Sequence, residues 1–555
     1  MGPRRTSIGD DPFNIDSPPD SRWTTANTGE QMPGVLTPLT ITLTMEPAEL
    51  GLLRAFALLG VIPRSEVRMP EHRHDHSLGY FYGRCAANVS LIRRLFDLTP
   101  GTSGAAYEAQ MFGGEGLGES ELLRRRRWPL VAAQMPWRVL RTPTGLTALR
   151  AELQEWWAGQ VRRMPTATLP EARQAALDAQ AQMQRVTPYV YLATLTAQLA
   201  YGRICALSAL AGHPGLENTI SGGYGTEELE MANDFWAVSR GTMPGERFFE
   251  RHGWTAPMGM ELSARSWRET PELIEPLLRS YRELPDEDDP RRVSEERAAE
   301  RRQAEIQLLR GLPRRRRVEA RLLLRLTAEY MRLRTVQKAC SAIVYDGMRL
   351  GARRIGVLLH ADGLIDDPDD AFYLTQSELL APELPADARE RIATRRAARD
   401  EYQALRLPDG WTGNPVPIVV ADVPRAGSAG SAAVSGTGVS PGIVEGPVRV
   451  VTSPTDGDVR PGEILVCEMT DPSWISLMVV AAGFVIDIGG PVSHGAIIAR
   501  ELGIPCVINT GSGTAALRTG QRVRIDGSTG TVEVLGEPDE VAVPLADAPR
   551  PEPVR

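Results

Sequence analysis

Lysine is almost missing from this chain. Of the 62 lysine and arginine residues among 555, only Lys338 is a lysine. Arginine serves everywhere else, so the one compact, flexible ammonium, whose pKa burial can lower, marks a position to inspect. Cysteine is scarce too. Cys85, Cys205, Cys340, Cys467 and Cys506 are scattered without metal-ligand spacing, a usage that suits a reducing cytoplasm. No run of about 20 uncharged apolar residues occurs, so no membrane span is expected. The first residues, Met1 to Pro12, contain no apolar segment of the kind a secretory leader needs. Positive charge is not in surplus: the net charge of −8 argues against a nucleic-acid partner. The arginine runs Arg124–Arg127 and Arg314–Arg317 read as solvated helix faces. Nowhere does a glycine-rich phosphate loop with a lysine precede a helix.

What is present falls into two compositions. Residues 1–22 are rich in Pro, Asp and Ser and are expected to be disordered. From residue 23 to 424 apolar residues recur at helical spacing, most clearly over 148–163, 170–212, 227–239 and 294–359. Residues 425–434, with Gly-Ser-Ala-Gly-Ser-Ala at their centre, have a flexible-linker composition. Over 435–537 the pattern becomes β/α, with strands predicted at 443–451, 463–467, 483–488, 506–509, 522–525 and 531–535 and a helix after His494. A loose tail is expected over 538–555. The expected class is α plus α/β and multidomain, a large mostly helical domain followed by a smaller β/α one.

The densest motif is Gly489-Gly-Pro-Val-Ser-His494-Gly-Ala-Ile-Ile-Ala-Arg500. It places His494 after a glycine turn and at the start of an amphipathic helix, where exposed N–H groups and the positive helix end favour a phosphoryl group. Imidazole is a competent nucleophile at neutral pH. Gly489 and Gly490 are expected to form a tight turn that brings the ring to the surface. Ser493 is expected to cap the helix and contact a phosphoryl oxygen. Arg500 lies well round the helix and reads as a packing or salt-bridge residue.

This block resembles the swivelling phosphohistidine domain of the phosphoenolpyruvate-utilising enzyme family. The likeness runs through Val439-Ser-Pro-Gly-Ile-Val-Glu-Gly-Pro-Val448, Leu465-Val-Cys-Glu-Met-Thr-Asp-Pro-Ser-Trp474, the Ser-His core and Gly520-Gln-Arg-Val-Arg-Ile-Asp-Gly527. It implies a β/β/α domain on hinges whose histidine is phosphorylated at a nucleotide site and carried to a distant acceptor. Many pyruvate-linked members have Thr where this chain has Ile486 and Val492. That departure points to the branch with rifampicin phosphotransferases and phenylphosphate synthases. Residues 23–424 resemble, more loosely, the acceptor-binding domain of that branch, through Ala26–Leu39, Tyr82–Asn88, Arg251–Trp267 and Asp366–Leu374. The branch carries an Arg-x-x-x-Lys pair on its catalytic helix, matched here by Arg334 and Lys338. Spacing of i and i+4 puts both cations on one helix face, where they can clamp a transferring phosphoryl group. Glu261 and Arg265 match family positions and are candidates for the acceptor pocket.

The histidines of His72-Arg-His74-Asp-His76 are candidates for a general base, with a metal site the lesser reading. Met32, Phe81, Tyr82, Trp254, Met258 and Met260 suggest a hydrophobic acceptor if they line a pocket. The resemblance implies relatives that begin with an ATP-grasp module, for which this sequence offers no motif. The expectation is therefore a two-component phosphotransferase. A separate ATP-grasp subunit with ATP and Mg2+ charges His494, and this chain phosphorylates a small phenolic hydroxyl, without nucleic acid, membrane or bound metal. The alternatives are a non-catalytic phosphocarrier or regulatory protein, and a single-chain transferase using phosphoenolpyruvate.

Overall fold

The computed structural model describes residues 11–536 apart from 26–27, 29–31, 33, 101–102, 106–126, 258, 409, 420–433, 455–458 and 492. The expected hinge up to residue 433, the tail 538–555, most of 26–33, Arg124–Arg126, Met258 and Val492 lie outside the described residues.

The helical region is built on α1 (Pro38–Leu58), α2 (Trp128–Arg163), α3 (Leu169–Leu210), α4 (Glu227–Ser239), α5 (Pro290–Gly311) and α6 (Arg314–Ala361). Helix α3 starts at a capping box in which the Thr168 backbone N–H and hydroxyl both donate to Glu171 at 2.7 Å. Helix α6 has 48 residues, about 70 Å at 1.5 Å per residue. Burial rather than propensity holds it: nearly every residue from Tyr330 to Ala352 is covered. Its glycines permit close crossing. A Cβ on Gly347 would sit 2.2 Å from the Trp156 ring, and one on Gly351 3.1 Å from the Ala176 nitrogen. The helical spacing over 294–359 is carried by two helices, α5 and α6. Pro313 lacks an N–H and would clash with the preceding turn, so the chain reverses at Leu312–Pro313.

The region is not purely helical. Strands β1 (Arg22–Thr24), β2 (Leu78–Phe81), β3 (Arg84–Asn88) and β4 (Gly410–Thr412) form an antiparallel sheet in the order β2-β3-β1-β4. Tyr82 and Gly83, with φ of 50° and 70°, make the two-residue turn between β2 and β3. The disorder expected over 1–22 is corrected for its second half. Phe13 and Ile15 are 2% and 4% exposed, and Ile15 N–H donates to the Tyr80 carbonyl at 2.9 Å. Two apolar residues at alternate positions suffice to lay this stretch along the sheet, and averaging over a polar composition conceals them.

The C-terminal unit contains β5 (Val434–Ser435), β6 (Thr437–Ser440), β7 (Ile443–Val450), β8 (Ile464–Cys467), β9 (Gly483–Ile486), β10 (Cys506–Ile508), β11 (Arg522–Asp526) and β12 (Thr531–Gly536). They form one sheet in the order β5-β12-β11-β7-β8-β9-β10-β6, parallel from β7 to β10 and antiparallel outside them. Every residue of β8, β9 and β10 is buried, as crossover helices on a parallel sheet require. The crossovers are α7 (Ile475–Val480) and α8 (His494–Leu502). Loops 468–471 and 487–493 thus leave the carboxyl ends of neighbouring parallel strands, the usual place for ligand chemistry in such sheets. One buried apolar cluster runs from α3 and α6 through α4 into α7 and β8–β10, so the two units are packed together.

Candidate active site

His494 is the first residue of α8, and Ser493 is its N-cap, accepting from the Ala496 N–H at 3.4 Å. The imidazole Nδ1 lies 3.1 Å from the Thr470 hydroxyl, at the end of β8. That bond orients the ring and turns Nε2 toward the helical region. Asp487, at the end of β9, accepts from Thr510, Gly513 and Thr514 and fastens the adjoining loops. Neither Gly489 nor Gly490 has a left-handed backbone, and the tight turn is closed by the Ser493 N–H donating to the Gly490 carbonyl at 2.8 Å. Gly489 serves by closeness, since a Cβ there would lie 3.0 Å from the Ser493 hydroxyl. Gly495 is the tighter glycine: a Cβ would fall 2.4 Å from Ile486 Cδ1 and 3.0 Å from Thr470 Oγ1.

The ring was expected at the surface, but His494 is 1% exposed because the helical region covers it. Burial, and then the charges of Lys338 and Arg334, push its pKa well below the ordinary histidine value. The structure therefore brings His494, Arg334 and Lys338 together, with Arg334 buried and Lys338 half-buried on α6. Glu228, in the first turn of α4, completes the group: its Oε1 is 3.7 Å from Nε2. With the imidazole held neutral by its lowered pKa, this contact is not an ion pair. Burial pushes the Glu228 carboxyl up to about 7, against the pull of Lys338. The Glu227 N–H donates to the Thr335 hydroxyl at 3.1 Å, which ties the start of α4 to α6 beside Arg334.

The docking is polar as well as apolar. Arg500 donates to the Val439 carbonyl at 2.7 Å, the Pro491 carbonyl at 2.6 Å and Asn218 at 3.0 Å. Glu501 accepts from the Tyr224 and Gly225 N–H groups at 3.1 and 3.2 Å. Arg500 thus positions the 491 loop and bonds the helical region, a role larger than packing.

The remaining candidates are held by other contacts. The rings of His72 and His74 stack at 5.3 Å. His76 is buried, contacts the Pro70 carbonyl at 3.4 Å, and has its pKa lowered chiefly by burial. Asn88 donates to the backbone carbonyls of His74 and His76, so β3 holds the loop. Glu261 accepts from the Thr37 N–H at 2.9 Å and hydroxyl at 2.7 Å, and from Thr40 and Ser263. It closes the N-terminus of α1, a structural position. Arg265 pairs with Asp369 at 3.0 Å on the surface. Among the described residues no three or more His, Cys, Asp or Glu side chains are grouped to hold a metal, and no helix is long and apolar enough to cross a membrane. A cavity of about 500 Å3 lies beside the 468–471 loop, lined among others by Met32, Arg84, Arg406, Met469, Asp471 and Trp474.

Sequence reasoning missed Glu228 and Thr470. Thr470 lies in a quoted motif that carried no role. Glu228 stands among Glu227, Glu228 and Glu230, and acids are ordinary in a first helical turn.

Residues 459–530 match the mobile domain of PEP-utilising enzymes. Residues 244–335 match the rifampicin phosphotransferase fourth domain, a span that includes Arg334. An uncharacterised Mycobacterium tuberculosis protein is 37% identical over 229 residues, 40% of this chain and 26% of that protein. A Streptomyces rifampicin phosphotransferase is 39% identical over 178 residues, 31% of this chain and 20% of the enzyme. A Bacillus subtilis uncharacterised phosphotransferase is 34% identical over 200 residues, 34% and 24% of the two chains. The matches thus span about a quarter or less of each relative's length. The unit that carries His494 is thus similar to the mobile domain of PEP-utilising enzymes, and the helical region it packs on includes a segment similar to the rifampicin phosphotransferase fourth domain.

Proposed function

We propose that this chain is the phosphohistidine-carrying, acceptor-binding part of an ATP-dependent phosphotransferase. The observation that carries the reading is the placement of a neutral, oriented imidazole against two cations on a neighbouring helix. His494 Nε2 holds the phosphoryl group, and Nδ1 is held by Thr470. Arg334 and Lys338 balance the charge of the transferring group, which is where catalysis of phosphoryl transfer mainly lies. A cation pair at this spot favours transfer over mere carriage of a signal.

The acceptor is a small hydroxylated, hydrophobic molecule, a phenol by preference. Met32, Met469 and Trp474 in the 500 Å3 cavity support an aromatic body, and Arg84 and Arg406 support a polar or anionic substituent. A separate ATP-binding component with Mg2+ supplies the phosphoryl group, with ATP cleaved to AMP and phosphate. For His494 to reach such a component, the Arg500–Asn218 and Glu501–Tyr224 contacts must open and re-form.

The test is incubation of the purified chain with labelled ATP, Mg2+ and a phenol panel, with and without an ATP-grasp protein. The expected result is label on His494 and then on the phenol only when both proteins are present. Turnover by this chain alone sinks the two-component arrangement. Loss of neither label nor product in His494→Ala removes the carrier role.

A further inference from the structure

A hydroxyl that takes a phosphoryl group must lose its proton, and among the described residues Glu228 brings a carboxyl group to the reacting nitrogen. Glu228 Oε1 is 3.7 Å from His494 Nε2, and its side chain is 3% exposed. Its other oxygen, Oε2, is buried and accepts no hydrogen bond among the described residues. A buried acceptor left this way is costly unless something fills its need in another state. The neighbouring acids are engaged elsewhere. Glu227 pairs with Arg150 at 3.2 Å, Asp471 accepts from Ser473, and Asp487 is saturated by Thr510, Gly513 and Thr514. Glu501 is occupied by the N–H groups of Tyr224 and Gly225.

We propose that Glu228 is the base that takes the proton of the acceptor hydroxyl as the phosphoryl group leaves His494. The proposal rests on the carrier reading above. In the step the N–P bond at Nε2 breaks and the O–P bond to the acceptor forms. The electron pair of the broken bond returns to Nε2, and the hydroxyl proton passes to the Glu228 carboxylate. His494 leaves as neutral imidazole, keeping the Nδ1 proton that faces Thr470. Charge is conserved: a carboxylate and a phosphorylated imidazolium become a carboxylic acid, a neutral imidazole and the dianionic product ester.

The electrostatics agree with the geometry. Burial raises the Glu228 carboxyl to about 7, while Lys338 from α6 lowers it and Glu227 and Glu501 raise it. Arg334 on α6 and the imidazole on α8 are the other charged or titratable groups of the site. A base with that affinity both accepts a proton readily and releases it afterwards. Lys338 is then shared: it favours the carboxylate before transfer and the phosphoryl group during it.

The test charges the whole chain on His494 with phosphoramidate, a chemical phosphoryl donor, and follows loss of phosphohistidine after adding phenols of graded acidity. Glu228→Gln, which keeps shape and removes the base, is expected to charge normally but transfer about 100-fold or more slowly. The loss should shrink as the phenol becomes more acidic, and the limb of the wild-type rate–pH profile near 7 should disappear. Glu228→Asp should recover part of the rate, and matched melting curves separate chemistry from misfolding. Transfer by Glu228→Gln at the wild-type rate, or an equal loss for every phenol, overturns the role of Glu228 alone. Failure of the wild-type chain to become charged or to transfer to any phenol overturns the carrier reading beneath it.

Discussion

The two sides of the site are built to different tolerances. Around His494 the fit is close on every side: Gly495 has no room for a methyl, Thr470 fixes Nδ1, and Asp487 fastens the loops. On the helical side, Arg334, Lys338 and Glu228 reach in from α6 and α4, which are joined here by the Thr335–Glu227 bond. The difference follows from what each side must deliver. Bond-making depends on the nucleophile's position to a fraction of an ångström. Charge falls off slowly with distance, so long side chains on a stiff helix suffice to balance a phosphoryl group.

The comparison breaks most completely at the nucleophile. His494→Ala should reduce transfer to background, measured by label on the acceptor. Next comes the charge side: Lys338→Ala or Arg334→Ala should cost on the order of 100- to 1,000-fold in rate, as loss of one charge-stabilising group does in other sites. Lys338→Arg keeps the charge but changes reach and hydrogen-bond geometry, so it should fall between wild type and Lys338→Ala. A Lys338→Arg rate equal to wild type would make the single lysine a coincidence of composition.

The close-fitting side has its own test away from the chemistry. Gly495→Ala forces a methyl toward Ile486 and Thr470. Overpacking of this kind costs about 1–3 kcal/mol. The expected outcome is a lowered Tm together with slower charging of His494, because the residue displaced is the one that orients the ring. A variant that melts earlier yet charges and transfers normally would show that the fit serves stability only.

Much of this architecture was legible in the sequence, for identifiable reasons. Parallel strands buried on both faces read as continuous apolar runs, and Ile464–Cys467, Gly483–Ile486 and Cys506–Ile508 lie within the predicted strands. Helical spacing marked α3, α4 and α6, with Pro313 standing between α5 and α6. The sheet β2-β3-β1-β4 was hidden because its strands have three to five residues and are scattered among helices. The i, i+4 pair Arg334 and Lys338 was visible as a face, but Glu228 was not, since first-turn acids occur in most helices. Glu261, which matches a family position, accepts from Thr37 at the start of α1. Burial of His494 is a property of two packed units and has no local signature.

That packing is itself sensitive to pH, and the sign can be worked out. Burial raises Glu228 and Glu501 to about 7 from an ordinary 4.5, so the docked state holds protons that the separated units release. Each carboxyl therefore favours docking fully below about pH 4.5 and loses that contribution as pH rises to about 7. His494 opposes them below its ordinary 6.5, because burial, Lys338 and Arg334 disfavour its charged form. Two carboxyls against one imidazole predict that docking loosens between about pH 4.5 and 7. Distance measurements between labels on the two units check this, and Glu501→Gln should flatten the profile. A docking equilibrium that tightens with rising pH would reverse the balance.

The smallest effect is expected where the resemblance pointed and the geometry does not. Arg265 pairs with Asp369 at 3.0 Å, with side chains 53% and 43% exposed. An ion pair this open contributes little, about 0–1 kcal/mol, and Arg353 also pairs with Asp369 at 2.8 Å, so the carboxylate keeps a partner. Arg265→Ala should leave Tm and the transfer rate close to wild type in the same assays that Lys338→Ala disables. A large loss of transfer at unchanged Tm would mean that the acceptor reaches Arg265, which would move the binding surface toward the Arg265–Asp369 pair and away from the cavity beside the 468–471 loop.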